Sequence, residues 1–525
     1  MRHDLIHLNY PSKTMFQMVQ ETARRHPGLD AYEFLGRRIS YPQLIRRIEQ
    51  AARVFYAMGI RRGDRVAICM PNCPQAVTAL YGLNRLGAVA VMVHPLSAPG
   101  ELVQALDLSG AQVVLTLDRL VPNFAAARPG RIFLTARLPG EGPRAKGPGL
   151  LRWRAVLRAG NAVPLPRDRG CADDPAVILF SGGTTGTPKG IVLTNQNFNA
   201  SALQTLAAAD LGPTEGLRML ALLPLFHGFG LGIGVHTALL GGACCVLVPR
   251  FRAGDLGKLL RRTRPNLLPG VPALFMALLQ CREPLDLRGL KGVFCGGDAL
   301  SAQQKQDIDR FLADHGAAVT VRPGYGLTEC VSASCLTPAG EFRPGSIGLP
   351  LADMDYVICR PGTTEILPPG SRGEICLTGP TVMVEYIQNR EETGQALRRH
   401  GDGRLWLHTG DLGTMDADGW VYFTQRLKRM IVSCGYNIYP AQVEAVLELH
   451  PKVQAACVVG AADDYRGQRV RAVIVPADPG LTAEEIRAWC RSRIARYAQP
   501  REIVFRNSLP MTKFGKVDYR TLEEG

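Results

Sequence analysis

The sequence lacks the features that mark several common classes of protein. None of its 14 cysteines forms a CxxC pair, so the spacing of a structural zinc site is absent and buried free thiols are expected. Lysine and arginine form no block interleaved with aromatic residues, which argues against a nucleic-acid-binding protein. The first ten residues have no secretory-signal pattern, and we therefore expect a cytoplasmic protein in a reducing environment.

One long stretch lacks charge. Residues 219–249 contain no Asp, Glu, Lys or Arg, although His227 and His236 lie among them. The length would suffice to cross a bilayer. Pro224 and several glycines interrupt the stretch, which favours the wall of a buried pocket over a lipid-exposed span. We therefore expect no transmembrane segment.

Length and charge limit the remaining possibilities. A chain of 525 residues is expected to fold as two or more domains, and 46% hydrophobic with 20% charged residues is typical of a globular protein. The net charge of +15 suits polyanionic small molecules and also an acidic membrane surface. Peripheral membrane contact therefore stays open.

The first part of the chain alternates helical and strand patterns. Helical periodicity at 14–26 and 40–58 is followed by an apolar strand at 65–70, and a helix at 75–86 precedes a strand at 88–94. Such alternation predicts a layered α/β domain with a largely parallel sheet. Residues rich in Pro, Gly and Arg follow at 128–172, and we predict a surface excursion there.

The C-terminal part differs in character. Pro440 is suited to the first turn of a helix that runs to about residue 450, and strands are predicted at 454–459 and 470–475. Thr482 and Glu485 form a capping box for a further helix that extends to residue 496. This pattern predicts a separate, smaller α+β domain.

A phosphate-binding loop follows the apolar strand at 176–180. Its sequence is Ser181-Gly-Gly-Thr-Thr-Gly-Thr-Pro-Lys-Gly190. Small residues let backbone N–H groups approach an oxyanion, and Lys189 adds positive charge. The loop is not a Walker A motif, because Pro188 precedes the lysine and Gly190 replaces the Ser or Thr that follows it.

Further segments follow the loop in the order typical of one family. They are Pro224-Leu-Phe-His-Gly-Phe-Gly230, Gly296-Gly-Asp-Ala-Leu300, Tyr325-Gly-Leu-Thr-Glu329, Thr409-Gly-Asp411, Arg426-Leu-Lys-Arg-Met-Ile431, Gly435-Tyr-Asn-Ile-Tyr-Pro440 and Lys513-Phe-Gly-Lys516. Over nearly its whole length, the chain resembles the adenylate-forming superfamily of acyl-CoA synthetases, luciferases and peptide-synthetase adenylation domains.

The resemblance implies a fold and a reaction. The fold is α/β, with a large layered N-terminal adenylate-forming domain at residues 1–427 and a smaller, mobile α+β C-terminal domain at 428–525, hinged at Lys428. The reaction implied is that of a ligase, which uses ATP and Mg²⁺ to form an acyl-adenylate from a carboxylic acid. Coenzyme A then accepts the acyl group.

The resemblance also gives motif residues expected roles. Lys516 would bridge the carboxylate and the α-phosphate, Thr328 would donate to the α-phosphate, and His227 would gate the acyl tunnel. Glu329 and Thr184 would hold magnesium, which prefers oxygen ligands. The residues expected to bind ATP or AMP are Ser181, Thr184, Thr185, Gly186, Lys189, Gly297, Asp298, Ala299, Tyr325, Gly326, Asp411 and Arg426. Those expected at the hinge or near coenzyme A are Lys428, Gly435 and Tyr436.

The chain departs from the family pattern at several positions, one of which bears on the class of substrate. Gln425 stands where the family has Gly or Asp, and Val432 stands where many members have Lys. Residues 229–235 lack the aspartate that amino-acid-activating relatives use, which argues against an amino-acid substrate. An apolar, roomy pocket is predicted, lined by Gly228, Gly230, Gly232, Gly234 and residues 271–275 and 332–334.

Several functions stay open at this point. A medium- or long-chain fatty acid is the favoured substrate, and an aryl acid is the alternative. A ligase that loads a carrier protein is disfavoured because no insertion is evident near the hinge. A non-catalytic nucleotide-binding protein would be expected to lack Lys516 or Glu329, yet both are present.

Overall fold

The computed structural model describes residues 7–127, 130–181, 189–429, 431–433, 436–438, 440–463, 467–491, 493–494, 498–512 and 517–524. The strands up to residue 350 are β1 Asp30–Phe34, β2 Arg37–Ser40, β3 Arg65–Cys69, β4 Val89–Met92, β5 Val113–Leu117, β6 Ile132–Ala136, β7 Leu150–Arg152, β8 Pro175–Ser181, β9 Lys189–Thr194, β10 Arg218–Ala221, β11 Cys244–Leu247, β12 Leu267–Gly270, β13 Gly292–Cys295, β14 Val321–Gly326, β15 Ala333–Leu336 and β16 Ser346–Pro350. The later strands are β17 Asp355–Cys359, β18 Gly373–Thr378, β19 Glu385–Tyr386, β20 Leu397–Arg399, β21 Leu405–Met415, β22 Val421–Arg426, β23 Ile431–Ser433, β24 Tyr436–Ile438, β25 Val453–Asp463, β26 Gly467–Pro476 and β27 Glu502–Phe505.

Helices alternate with the strands over most of the chain. The α-helices are α1 Met15–Arg25, α2 Tyr41–Ala57, α3 Pro74–Asn84, α4 Pro99–Ser109, α5 Trp153–Gly160, α6 Asn195–Ala209, α7 Ala238–Leu240, α8 Leu256–Thr263, α9 Pro272–Leu279, α10 Ala302–Asp314, α11 Arg390–Ala396, α12 Pro440–Glu448, α13 Ala483–Arg491 and α14 Tyr519–Glu524. Short 3₁₀ helices span Asp118–Ala127, Ala253–Asp255, Thr328–Cys330 and Leu427–Arg429, and a π-helix spans Phe229–Thr237. Together they confirm the predicted mixed α/β class.

The chain divides into two compact units. The first comprises residues 1–356, 377–407 and 418–420, and the second comprises 357–376, 408–417 and 421–525. The domain boundary predicted between residues 427 and 428 stays a prediction. No α-helix in the described ranges is long and apolar enough to cross a membrane, and the π-helix occupies part of the uncharged stretch.

Two sheets form the first unit. One has the strand order β16-β15-β14-β13-β12-β10-β11-β1-β2, and the other has the order β19-β9-β8-β4-β3-β5-β6-β7. Neighbours from β1 to β14 in the first sheet and from β8 to β7 in the second pair in parallel. The central strands are buried, as expected for parallel sheets covered by helices.

The predicted surface excursion is wrong in part. Strands β6 and β7 form the edge of the second sheet, paired in parallel from Phe133↔Leu150 onward. Helix α5 then packs on α2, where Trp153 contacts Phe55 with ring centroids 5.7 Å apart. A buried tryptophan, Trp153, anchors this Gly- and Arg-rich segment. Its strands and helix are short, so the periodicity of the sequence is too weak to reveal them.

The second unit contains two groups of strands. One group has the order β17-β18-β21-β22, and the other has the order β24-β23-β26-β25 with β27 parallel to β26. The predicted capping box is confirmed: Glu485 N–H donates to Thr482 Oγ1 at 3.2 Å, and Thr482 N–H donates to Glu485 Oε2 at 3.1 Å. Helix α13 ends at Arg491, earlier than predicted.

Candidate active site

The predicted phosphate loop lies between two paired strands of the first unit. Strands β8 and β9 run antiparallel, and Ser181, the last residue of β8, is the Cα partner of Lys189, the first residue of β9. Thr184, Thr185 and Gly186 lie outside the described residues.

Lys189 belongs to a cluster of four residues that we call the phosphate-side cluster: Lys189, Glu329, Tyr386 and Glu392. The Lys189 Nζ lies 2.9 Å from Glu392 Oε2 and 4.9 Å from the centroid of the Tyr386 ring. The Tyr386 hydroxyl donates to Glu329 Oε1 at 2.9 Å. The cluster therefore brings the predicted phosphate-binding lysine and the predicted magnesium ligand to the same tyrosine.

Glu329 sits on the short 3₁₀ helix Thr328–Cys330 that follows β14. Its carbonyl oxygen accepts a hydrogen bond from Met383 N–H at 2.8 Å, which ties this turn to the segment carrying Tyr386. The half-buried carboxylate supplies the oxygen ligand that magnesium prefers. Glu329 thus fits the predicted metal-binding role, and Thr184 stays a prediction.

Tyr386 and Glu392 belong to none of the sequence motifs, so their place in the phosphate-side cluster was not predicted. Tyr386 lies on the short strand β19, and Asn389 caps α11 by accepting from Glu392 N–H at 3.0 Å. The same asparagine donates from Nδ2 to Glu392 Oε2 at 3.1 Å, which orients the carboxylate toward Lys189. The Asn389–Glu392 cap was visible in the sequence, but its proximity to Lys189 depends on pairing between β19 and β9.

The adenine-side residues lie at the carboxyl ends of parallel strands. Gly297, Asp298 and Ala299 begin two residues after the end of β13 and are exposed, and Gly297 has the left-handed φ of +84°. Strand β14 is parallel to β13 and carries Tyr325 and Gly326 at its own carboxyl end. Ligands in open α/β sheets bind at this edge, so the fold places these five predicted residues where a nucleotide can bind.

Close backbone packing explains several glycines that were expected to widen an acyl pocket. A Cβ on Gly228 would lie 1.6 Å from the Val331 carbonyl oxygen, and one on Gly230 would lie 2.1 Å from that of Pro224. Gly326 is equally constrained, with the Ser332 carbonyl oxygen 1.5 Å away. These two positions therefore need glycine to admit neighbouring backbone, and the pocket that they were expected to line stays a prediction.

Backbone strain accompanies this packing. Val331 has φ +67° and ψ −60°, in a region that a β-branched residue adopts only under constraint. It follows Glu329 by two residues and is fully buried. Such outliers persist only where the surrounding structure enforces them, and they concentrate at functional sites.

The two histidines of the uncharged stretch have different environments. His236 is fully buried between the Tyr81 hydroxyl and Asn199 Oδ1, each 2.9 Å away, and burial lowers its pKa to about 3. It is therefore a neutral structural residue. His227 is exposed at the start of the π-helix, next to Phe226, so it is accessible to a ligand. Its predicted gating role stays a prediction.

Asp411 and Arg426 meet in the second unit. They are Cα partners on β21 and β22, and Arg426 Nε lies 2.8 Å from Asp411 Oδ1. The aspartate side chain is 1% exposed and the arginine side chain 55% exposed. A nearly buried carboxylate is thus paired with an accessible guanidinium.

The remaining predicted residues lie wholly or partly outside the described residues. Lys516 and Gly435 lie outside the described residues, as do the side chains of Lys428 and Tyr436. The Lys428 backbone forms the 3₁₀ helix Leu427–Arg429, which directly follows β22. Their functional roles stay predictions.

Comparison with known proteins identifies the family. The chain matches "AMP-binding enzyme" over residues 19–387 and "AMP-binding enzyme C-terminal domain" over residues 442–516. The chain therefore belongs to the family of AMP-binding enzymes. The predicted membership of the adenylate-forming superfamily is confirmed.

The similarity to known proteins extends along nearly the whole chain. A long-chain-fatty-acid–CoA ligase of Bacillus subtilis (strain 168) is 33% identical, with 99% of this chain and 96% of that protein covered. A feruloyl-CoA synthase of Amycolatopsis sp is 34% identical, with 94% and 95% covered. The structure of o-succinylbenzoate coenzyme A synthetase from Bacillus subtilis, in complex with ATP and magnesium ion, has a TM-score of 0.81 at 26% identity, covering 98% of this chain and 100% of that chain.

Proposed function

We propose that this enzyme activates a medium- or long-chain fatty acid. The broader class predicted from the sequence, an adenylate-forming acid–CoA ligase that uses ATP, Mg²⁺ and coenzyme A, is confirmed by the family and its relatives. The fatty acid itself is supported by the Bacillus subtilis relative. The observation that carries the mechanism is the phosphate-side cluster, in which Tyr386 joins Lys189 to Glu329.

Charge neutralisation is the main task of such a site. Adenylation brings a carboxylate to the α-phosphorus of ATP, so both reactants are anionic. Lys189 would bind phosphate oxygens, and Glu329 with Thr184 would hold the magnesium ion, which supplies Lewis-acid stabilisation when bound. Thr328 would donate to the α-phosphate. Lys516 would bridge the carboxylate and the α-phosphate and so align the reacting groups.

The nucleoside part would be bound by a second set of residues. Asp411 has a carboxylate that can accept from both ribose hydroxyls, and Arg426 beside it can contact ribose or phosphate. Tyr325 would stack on adenine, next to the exposed residues 297–299. These assignments follow the resemblance and are supported by the placement of Tyr325 at the carboxyl end of β14.

We further propose that the chain bends at Lys428 between the two half-reactions. Arg426 pairs with Asp411, whereas Arg429 Nη2 lies 2.5 Å from Glu444 Oε1 on α12 and its guanidinium covers the Tyr519 ring. Residues three apart are thus held by different partners. A φ/ψ change between them would release one set of contacts without the other, as a hinge requires.

An aryl acid is the second candidate substrate. The feruloyl-CoA synthase is as similar in sequence as the fatty-acid ligase. A flat aromatic ring needs a shorter and wider pocket than an alkyl chain, so the two classes should compete poorly with each other. Chain-length dependence of activity would favour the fatty acid.

Peripheral contact between a cytoplasmic enzyme and an anionic membrane is a further part of the proposal. Helix α5 packs on α2, where Gln50 Nε2 donates to the Leu157 carbonyl at 3.1 Å. Three exposed arginines on this pair form no ion pair with a described carboxylate: Arg46, Arg154 and Arg158. Clustered basic residues are attracted to anionic lipid headgroups.

Vesicle sedimentation tests this contact. The double variant R154E/R158E should bind vesicles containing anionic phospholipid about tenfold more weakly than the wild type. The variant R261E/R262E on α8 changes the net charge equally and should bind like the wild type. Equal loss in both variants, or no binding by the wild type, would reject the basic surface as the contact.

A panel of acids tests the proposed function. Pyrophosphate release should depend on added acid, and its specificity should rise with chain length among fatty acids above that for feruloyl-type acids. Coenzyme A should convert the adenylate to a thioester in the same assay. Higher specificity for aryl acids would select the second candidate, and a requirement for a carrier protein in place of coenzyme A would indicate a carrier-loading ligase.

A further inference from the structure

The segment that carries Asp411 is held in place by the neighbouring strand β18. We call residues 408–411 the ribose loop. Glu374 on β18 accepts through Oε1 from Gly410 N–H at 3.0 Å, and its Oε2 lies 3.0 Å from His408 Nδ1. Both oxygens of one carboxylate therefore contact the ribose loop.

The neighbouring contacts continue the same attachment. Thr409 Oγ1 donates to the Ile375 carbonyl at 2.7 Å, and Asp411 N–H donates to Thr409 Oγ1 at 3.1 Å. Gly410 has φ +68°, the left-handed conformation that glycine adopts most readily. Each residue of the ribose loop is thus fixed either by β18 or by its neighbour.

Because Glu374 is buried, its hydrogen bonds matter for the structure of the ribose loop. Glu374 and His408 are both buried, and a buried carboxylate is tolerated only where donors satisfy its oxygens. The Gly410 N–H and the imidazole provide those donors, with His408 donating from Nδ1 in the tautomer that this pairing requires. Removing the carboxylate would leave the Gly410 N–H without its partner at the turn that precedes Asp411.

We propose that Glu374 is a positioning residue for the Asp411 carboxylate and, through it, for the ribose hydroxyls of ATP. This inference rests on the proposed ribose-binding role of Asp411. Glu374 touches the loop backbone, whereas Asp411 touches the nucleotide. Loss of Glu374 should therefore weaken only those interactions of ATP that depend on Asp411.

The same residues could in principle hold a metal ion. The ligand atoms of Glu374, Cys376 and His408 lie within 4.8 Å of one another, and Cys376 Sγ is 3.4 Å from His408 Nδ1. One Glu374 oxygen, however, already accepts from a backbone N–H, and the distances are those of hydrogen bonds. The hydrogen-bonded arrangement accounts for all these contacts.

Nucleotide analogues separate positioning from general stability. Glu374→Ala should lower kcat/KM for ATP about tenfold, mainly through KM, because a hydrogen bond to a charged group is lost. With 2′-deoxy-ATP and 3′-deoxy-ATP, each lacking one hydroxyl bound by Asp411, the loss should be several-fold smaller. Glu374→Gln keeps one oxygen for Gly410 N–H and should recover most of the activity. Glu365→Ala removes an exposed carboxylate of the same unit and should behave like the wild type with all three nucleotides.

Asp411→Asn distinguishes failure of this inference from failure of the ribose assignment. If that variant loses no more with ATP than with the deoxy analogues, the ribose assignment is wrong. If it discriminates but Glu374→Ala weakens all three nucleotides equally, Glu374 is merely structural and the inference is overturned. Should Glu374→Ala fail to fold, the analogue comparison is made with Glu374→Gln, whose small residual loss should be confined to ATP; an equal loss with all three nucleotides would overturn the inference. Stoichiometric metal in the purified protein that disappears in Glu374→Gln would also overturn it.

Discussion

The phosphate-side cluster and the ribose loop, which we propose to bind phosphate and ribose, are held in contrasting ways. In the cluster, Lys189 and Glu392 are 19% and 25% exposed and are paired with each other. In the ribose loop, the Asp411 side chain is 1% exposed, and the backbone beside it is held by Glu374 and Thr409. The first region is held mainly by exchangeable side-chain pairs, and the second mainly by buried hydrogen bonds.

This difference suggests a division of tasks during turnover. Pyrophosphate must leave after adenylation, so the phosphate-side contacts have to form and break in each cycle. The ribose stays bound through both half-reactions, because the acyl-adenylate still contains it. A fixed carboxylate suits the retained group, and an exchangeable lysine pair suits the departing group.

The largest expected effect lies in the phosphate-side cluster. Glu329→Gln removes the charge of the proposed magnesium ligand while preserving its shape, and adenylation should fall about 1,000-fold, a loss of several kcal/mol of charge stabilisation. The rate is measured as acid-dependent pyrophosphate release at saturating magnesium. Glu391→Gln on α11 makes the same change at the residue next to Glu392, outside the phosphate-side cluster, and provides the control. A Glu329→Gln variant that retains most of its activity would remove this residue from the metal site.

The hinge should affect the half-reactions unequally. Lys428→Pro fixes φ near −65° and should slow acyl-CoA formation about 100-fold by hindering rearrangement, while acyl-adenylate forms at a nearly normal rate. Single-turnover assays of both half-reactions measure this, with Lys428→Ala as the active control. A folded proline variant that loses both half-reactions equally, or neither, would show that the hinge lies elsewhere.

A change at Tyr386 tests whether this residue acts through Glu329 in the phosphate-side cluster. Tyr386→Phe keeps the ring over Lys189 but removes the hydroxyl that donates to Glu329, and kcat should fall about fivefold, which is the scale of one hydrogen bond. The loss should shrink in a Glu329→Ala background, because that change removes the acceptor of the Tyr386 hydroxyl. Additive losses in the double variant would mean that Tyr386 acts independently of Glu329.

The smallest expected effect is an improvement, a lower KM for ATP. Glu392→Gln removes the carboxylate that competes with phosphate for Lys189, so KM for ATP should decrease about threefold, within the range of partly exposed ion pairs. Initial rates over a range of ATP concentrations measure this change. An increase in KM would mean that Glu392 orients Lys189 for ATP, and the cluster would then resemble the fixed ribose loop.

The sequence predicts the fold well where local signals are strong. The capping box at Thr482 and the strand that precedes the predicted phosphate loop follow from local patterning. The roles of Tyr386 and Glu374 could not be predicted, since their contacts join strands distant in the sequence. The close backbone packing at Gly228 and Gly230 could not be predicted either, because composition cannot distinguish pocket space from close backbone packing.

Exchange of labelled pyrophosphate into ATP tests the central claim most directly, because it reports reversible adenylation without coenzyme A. The wild type should catalyse exchange only when a fatty acid and magnesium are present. Lys516→Ala should abolish the exchange but still convert presynthesised acyl-adenylate to acyl-CoA, since no phosphate charge then needs neutralising. Exchange in the wild type that does not depend on acid, or undiminished exchange in Lys516→Ala, would contradict the account.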